Sequence, residues 1–158
     1  MFKISKKKHL GMAIESIPPH PKPKVELEQY STPSSIASDI MWNAYTLNDI
    51  YNKNIVDLAC GTGIFSISSI LLGAKKVIGV DIDNDSLEIA LKTSLDMGIS
   101  DDSSKESFIK FISQDLNKID SLNQLSFIEG NEFEIDTLIQ ILLLDLKRSQ
   151  KKVLIENL

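Results

Sequence analysis

The residues best equipped for chemistry are two glycines and two aspartates, each standing where an apolar run gives out. In VDLACGTGIFS, Gly61 and Gly63 separate the run NIVDLAC (54–60) from the helical stretch IFSISSILLG. Glycine lets backbone N–H groups approach a ligand closely, and a helix N-terminus favours negative charge. Asp81 follows Gly63 by 18 residues, inside the second run KKVIGVDID (75–83). A carboxylate there can hold both hydroxyls of a ribose. Asp115 closes a third run, FIKFISQDL (108–116), where a carboxylate and the next N–H can read an adenine edge. Three unrelated turn residues are the plain alternative. Position and residue type agree at all three, which a nucleoside crevice at one sheet edge explains.

Bringing these residues together requires a parallel sheet. The runs at 54–60, 75–83 and 108–116 alternate with helical patterns, and FEIDTLIQ (133–140) offers a fourth strand. Strand, helix, strand, helix, strand predicts an α/β fold with right-handed crossovers and helices flanking the sheet. The first crossover helix is stopped by Gly73; in the second, Leu87, Ala90, Leu91, Ser94 and Leu95 face inward and Gly98 ends it. Upstream, PPHPKPK (18–24) must be extended, because proline lacks an N–H and restricts its neighbour. Thr32 before Pro33 is suited to start a helix as a hydroxyl cap, with Ile36, Ile40, Ala44 and Leu47 on its inner face.

A length of 158 residues fits one domain, and 42% hydrophobic content supplies a core. One cysteine excludes a disulfide framework or a Cys-based zinc cluster within the chain, and Cys60 reads as a packed small residue. No run approaches the ~18 apolar residues of a membrane span, and the first residues lack a signal-peptide pattern. The expectation is a soluble, cytoplasmic protein without a membrane partner. Net charge is −5, yet residues 1–24 hold six lysines and one glutamate, leaving about −10 for the rest. Lys6, Lys7, Lys8, Lys22 and Lys24 could meet phosphates, or form a solvated basic tail. His9 and His20 read as surface residues with no spaced metal ligand beside them.

The crevice suits NAD or S-adenosylmethionine (SAM). A dinucleotide fingerprint wants a third glycine where this chain has Ser66. VDLACGTG, with Asp57 inside the strand, instead resembles motif I of SAM methyltransferases. Together with LEQYSTP (27–33) and VIGVDIDNDSLEIA, it resembles the methyltransferase-like protein 5 family and its archaeal relatives over about residues 5–140. That family methylates an adenine amine of small-subunit ribosomal RNA, and its eukaryotic member pairs with a small zinc-ribbon activator. The resemblance implies a Rossmann-like SAM-dependent methyltransferase fold. It implies that Gln29 and Thr32 touch SAM, and that Ala59, Gly61, Thr62, Gly63 and Ile64 line its methionine end. Asp81 would hold the ribose, and Asp115 with the Leu116 N–H the adenine. Glycine is frequent in the family where Ala59 stands. Tyr30 shapes the pocket or is a packed aromatic.

Such enzymes carry Asn-Pro-Pro-Phe after the fourth strand, whose asparagine and first proline carbonyl hold the target amine while phenylalanine stacks on the base. Here Ile141, Leu142, Leu143 and Leu144 fill that place, and an aliphatic side chain accepts no hydrogen bond. The expected organisation is an N-terminal segment (1–33) contributing to the SAM site, a SAM-binding domain (34–140) truncated after its fourth strand, and an aberrant tail (141–158). The tail reads as out of frame. The codons AAT CCT CCT TTT GGA TCT CAA encode Asn-Pro-Pro-Phe-Gly-Ser-Gln, and loss of one A yields Ile-Leu-Leu-Leu-Asp-Leu, as at 141–146. A divergent terminal helix is the alternative. Functionally, the readings are an inactive form of an RNA adenine methyltransferase, a non-catalytic SAM- or partner-binding module, or an NAD dehydrogenase. The frame reading predicts a full-length continuation in another frame after codon 140. Sequencing the gene checks it, and a stop soon after in that frame refutes it.

Overall fold

Short runs of β-branched and apolar residues bounded by turn formers make the strands, and the apolar stripes between them make the helices. The computed structural model describes residues 4–27, 29–118, 134–142 and 152–157. The helices are α1 (Lys7–Ile14), α2 (Ser34–Thr46), α3 (Ile64–Leu71) and α4 (Asn84–Asp96). The strands are β1 (Asn54–Leu58), β2 (Lys76–Asp81), β3 (Phe108–Ser113), β4 (Thr137–Leu142) and β5 (Lys152–Asn157), in the order β3-β2-β1-β4-β5. β1 pairs in parallel with β2 and β4, and β2 with β3, as the alternating pattern predicts. β4 is tied to the start of β1 by the Asn54 N–H donating to Asp136 Oδ2 (2.7 Å) and the Asp136 N–H donating to the Asn54 carbonyl (2.9 Å).

Alternation along the strands sorts side chains to two faces. Ile55, Val77, Ile109 and Ile139 pack with α1, α2 and α3, while Val56, Leu58, Ile78, Val80 and Phe108 form a second cluster with Ile112, Leu116 and Ile135. Gly79 sits between Asp57 on β1 and Phe111 on β3. A Cβ there would lie 2.7 Å from the Phe111 ring, so glycine is what lets that ring lie across the strand.

Four expectations need correction. The basic N-terminus is more than a tail: α1 buries Leu10 and Ile14 completely, and Ile4 and Ile17 join the same core. Helix α2 starts at Ser34 with Pro33 as its cap and no side-chain capping bond, so Thr32 does not cap it. Its inner face is turned by one residue, burying Ala37, Ser38, Met41 and Ala44 while Ile36 and Leu47 face outward. The small residues are needed because α1 crosses closely; a Cβ on Gly11 would stand 3.4 Å from Ser38 Oγ. On α4, Leu87, Ala90 and Ser94 are buried as predicted, whereas Leu95 is exposed.

The fourth correction concerns the tail. The alternative of a terminal helix is not met at residues 152–157. There β5 runs antiparallel to β4, from Thr137 opposite Asn157 to Leu142 opposite Lys152. The reason is the edge itself: a strand exposing unpaired N–H and C=O groups accepts the nearest β-prone segment, and KVLIEN is one. Residues 143–151, with Leu143 and Leu144, lie outside the described residues.

Because α1 belongs to the core, Leu10→Ala should lower the stability of the whole domain by about 2–5 kcal/mol. Urea denaturation followed by circular dichroism measures this, and an unchanged midpoint would show that α1 docks without supporting the fold.

Candidate cofactor site

The site is built at the carboxyl ends of β1, β2 and β3. After Leu58 the chain turns through Ala59, Gly61 and Gly63, all in the left-handed region at φ 58°, 55° and 86°. For Ala59 this conformation costs about 1–2 kcal/mol, which explains why glycine suits the position. Gly63 begins α3, and its N–H donates to the Cys60 carbonyl (2.9 Å). A Cβ on Gly63 would press on Ala90 at 3.0 Å and on Phe111, so this glycine admits α4 and β3 close to the turn. A Cβ on Gly61 would meet nothing within 4 Å, so the backbone there borders open space. Ala59, Gly61, Thr62 and Ile64 are half-buried, as a binding rim requires.

Asp81 binds this turn to the next. Its Oδ2 accepts the Gly61 N–H at 2.8 Å, and its Oδ1 accepts the Asp83 N–H at 2.9 Å. The Gln114 N–H donates to the Asp81 carbonyl (2.9 Å), which brings Asp115 and Leu116 to the same edge. There the Asp115 carboxylate accepts the Asn117 N–H at 3.0 Å, and Asp115 and Leu116 are half-buried. The expected glycine turn, Asp81 and Asp115 are thus gathered at adjacent strand ends. Gln29 is brought in by another route: its Nε2 donates to Asp83 Oδ2 (2.7 Å) and its Oε1 accepts the Lys24 N–H (2.8 Å). Thr32 is half-buried just before α2, and Tyr30 is 70% exposed, so it is not a packed aromatic. Ile141 and Leu142 continue β4 beyond the predicted end at residue 140.

Asp83 and Ser86 escape the sequence reading, which gives Lys24, His20 and Ser66 other roles. His20 is buried, against the surface placement expected for it. Its Nδ1 accepts the Lys22 N–H (3.0 Å), which leaves the proton of the neutral ring on Nε2. That Nε2 lies 2.9 Å from Asp83 Oδ2 but off the line of a hydrogen bond. Asp83 also accepts Lys24 Nζ (2.6 Å) and Ser86 Oγ (2.9 Å). Burial pushes its carboxyl up, but the bonds from Lys24, Gln29 and Ser86 and the lysine charge outweigh this and hold it well below the usual range. The DID repeat at 81–83 was the available signal, since both aspartates lie at one strand end.

Inside the sheet, Asp57 is fully buried and accepts a hydrogen bond from Ser66 Oγ, while its Oδ1 has no partner. Ser66 therefore stands where a dinucleotide fold wants glycine because its hydroxyl is spent on this acid. Burial, helped by the charge of Asp81 and opposed by Ser66, raises the Asp57 carboxyl to about 7. Burial, with the charges of Asp57 and Asp81, also pushes the Cys60 thiol well up, which keeps it neutral, as a packed residue should be.

A parallel sheet of this order, with a glycine turn after β1 and an aspartate closing β2, defines the Rossmann-like fold of SAM-dependent methyltransferases. Comparison with known proteins agrees: the ribosomal protein L11 methyltransferase (PrmA) family matches residues 42–117. The crystal structure of the candidate RNA methyltransferase PH1948 from Pyrococcus horikoshii superposes with a TM-score of 0.63 at 34% identity, over 75% of this chain and 56% of that one. The uncharacterized protein MJ0284 of Methanocaldococcus jannaschii is 44% identical over 97 residues, which is 61% of this chain and 43% of that protein. Homologues include the rRNA N(6)-adenosine-methyltransferase METTL5 of Danio rerio, 39% identical over 85 residues, 53% of this chain and 41% of that enzyme. The chain spans less than half the length of these two curated relatives. The cofactor of this fold is SAM. The residues present fit it: open space beside Gly61, an unpartnered acceptor on Asp57 and carboxylates closing β2 and β3.

The raised Asp57 carboxyl has a consequence for stability. Between the unfolded value of 3.8 and the folded value of about 7, the unfolded chain releases this proton and the folded chain keeps it. Its contribution to stability is therefore present below the unfolded value and is lost as pH rises through that window. Asp57→Asn removes the titration, so relative to the parent it should fare better at pH 8 than at pH 4.5. The difference is bounded by about 1.4 kcal/mol per pK unit. Urea midpoints at the two pH values report it, and an equal difference at both would contradict the assignment.

Proposed function

We propose that this chain binds SAM across the β1, β2 and β3 ends, that its parent activity is methylation of an adenine amine in ribosomal RNA, and that the chain as written does not hold the acceptor base. The observation that carries the reading is Asp81, closing β2 with its carboxylate anchored to the N–H of the first glycine turn. In this assignment Asp81 presents to the ribose, Asp115 with the Leu116 N–H to the adenine, and the Ala59–Ile64 turn lies along the methionine end. The bound sulfonium supplies the methyl group. The protein's share is orientation, because a methyl transfer gains most from alignment of donor and acceptor. RNA as substrate is supported by the relatives described as RNA methyltransferases. Of the N-terminal lysines, Lys6, Lys8 and Lys22 are exposed, whereas Lys7 pairs with Asp39 (2.6 Å) and Lys24 is committed to Asp83. The first three are the candidates for phosphate contacts.

Directly after Gln140 stand Ile141, Leu142, Leu143 and Leu144, with no asparagine, proline or aromatic in that place to grip an extruded base. In the other reading, a partner-binding module, the sheet edge on offer is β5, which pairs along β4. A zinc-ribbon activator belongs to the parent activity in this proposal, and its surface lies outside the features that carry it.

Calorimetry should show SAM binding and no NAD binding, with Asp81→Ala weakening SAM by at least about tenfold, as loss of a charged hydrogen-bonding group does. Labelled SAM with ribosomal RNA should give methyl transfer at background. Preference for NAD would overturn the cofactor assignment, and clear turnover would overturn the acceptor-site one.

A further inference from the structure

One buried carboxylate outside the expected cofactor residues gathers more polar partners than any other among the described residues. Asp83 is 4% exposed and receives groups from two separate parts of the chain. From the N-terminal segment come Lys24 Nζ at 2.6 Å, Gln29 Nε2 at 2.7 Å and His20 Nε2 at 2.9 Å; from α4 comes Ser86 Oγ at 2.9 Å. Among the described residues between His20 and Gln29 the regular structure is a single 3-10 turn, Val25–Leu27, so side-chain bonds must hold the segment. The Lys24 N–H bond to Gln29 Oε1 (2.8 Å) closes the segment on itself. On its other side, Asp83 donates its own N–H to Asp81 Oδ1 at 2.9 Å, the residue whose other oxygen holds the Gly61 N–H.

We propose that Asp83 is a positioning residue of the cofactor site: its carboxylate straps residues 20–29 across the β2–α4 turn while its backbone N–H sets the rotamer of Asp81. This rests on the reading of Asp81 as a SAM ligand. The chemistry favours a fixed strap. A buried carboxylate must be fully partnered, and here three of four partners come from the strap, so the strap cannot lift without stranding the charge. A bound nucleoside at Asp81 and a docked strap therefore stabilise one another. The cluster His20, Asp83 and Asp85 has the donors of a cation site, but Lys24 Nζ already stands between Asp83 and Asp85 (2.6 and 3.7 Å), supplying the positive charge.

The test compares the full chain with Asp83→Asn, Lys24→Met and Leu10→Ala. SAM affinity is read by calorimetry, melting temperature by circular dichroism, and strap docking by the rate of chymotrypsin cleavage after Tyr30. The expected result is at least tenfold weaker binding in Asp83→Asn and a severalfold loss in Lys24→Met. Both should be cut faster at Tyr30, and SAM should slow that cleavage in the parent. Leu10→Ala lies in the hydrophobic core and outside this hydrogen-bond network, so it should lower the melting temperature yet keep parental affinity. If affinity simply follows melting temperature across the variants, or Asp83→Asn binds SAM like the parent, the positioning role is overturned. A parent chain that binds no SAM would instead overturn the cofactor reading and this inference with it. Lys24→Met keeps the question open to decision should Asp83→Asn fail to fold.

Discussion

The carboxylate of Asp81 accepts two backbone N–H groups, from Gly61 in the first strand-to-helix turn and from Asp83 in the second. Backbone donors do not rotate away, so these two bonds lock two adjacent turns into one frame. Charge-assisted bonds of this kind are among the stronger ones a protein can make. Every other feature of the site hangs on that frame. The left-handed turn at 59–63 has a fixed neighbour, the β3 end joins through Gln114, and the N-terminal segment docks through Asp83. Without Asp81 the three strand ends would still be adjacent, because the sheet holds them, but their turns would have no common reference.

The N-terminal third serves two ends that pull its composition in different directions. Helix α1 needs apolar residues at Leu10 and Ile14 to pack against α2 and α3, and the same stretch carries the exposed Lys6, Lys7 and Lys8. Beyond it, four prolines in 18–24 rule out helix or ladder and leave an extended path. Extended chain with few backbone bonds is held by side chains, and the buried Asp83 is where they converge. The high lysine content therefore has three physical outlets here: solvent, the ion pair of Lys7 with Asp39, and the pair of Lys24 with the buried Asp83.

The interior shows a compromise between packing and polarity. Asp57, Gly79 and Phe111 lie side by side across β1, β2 and β3. The aromatic ring fills the space that glycine vacates, and Ser66 from α3 satisfies one oxygen of the aspartate. The second oxygen has no partner, so the acid is retained at a cost that hydrophobic replacement would avoid. Such a cost is understandable where a polar atom stands beneath a ligand-binding turn.

Much of this was written locally. Alternating apolar runs and helical stripes dictated the parallel strands and their crossovers, because periodicity reports which face a residue must bury. Gly61, Gly63, Asp81 and Asp115 could be found from type and spacing, since turns and strand ends have residue requirements of their own. What local chemistry could not decide was everything set by a distant neighbour. The rotation of α2 depends on how closely Gly11 lets α1 approach, and the burial of His20 on an aspartate sixty-three positions further along. The pairing of KVLIEN with β4 depends on an open edge, and the tie between Gln29 and Asp83 on the path of a proline-rich segment. A sequence states what each residue would accept as surroundings; only the folded chain selects which partner arrives, because burial and hydrogen bonding are satisfied in space and not along the backbone.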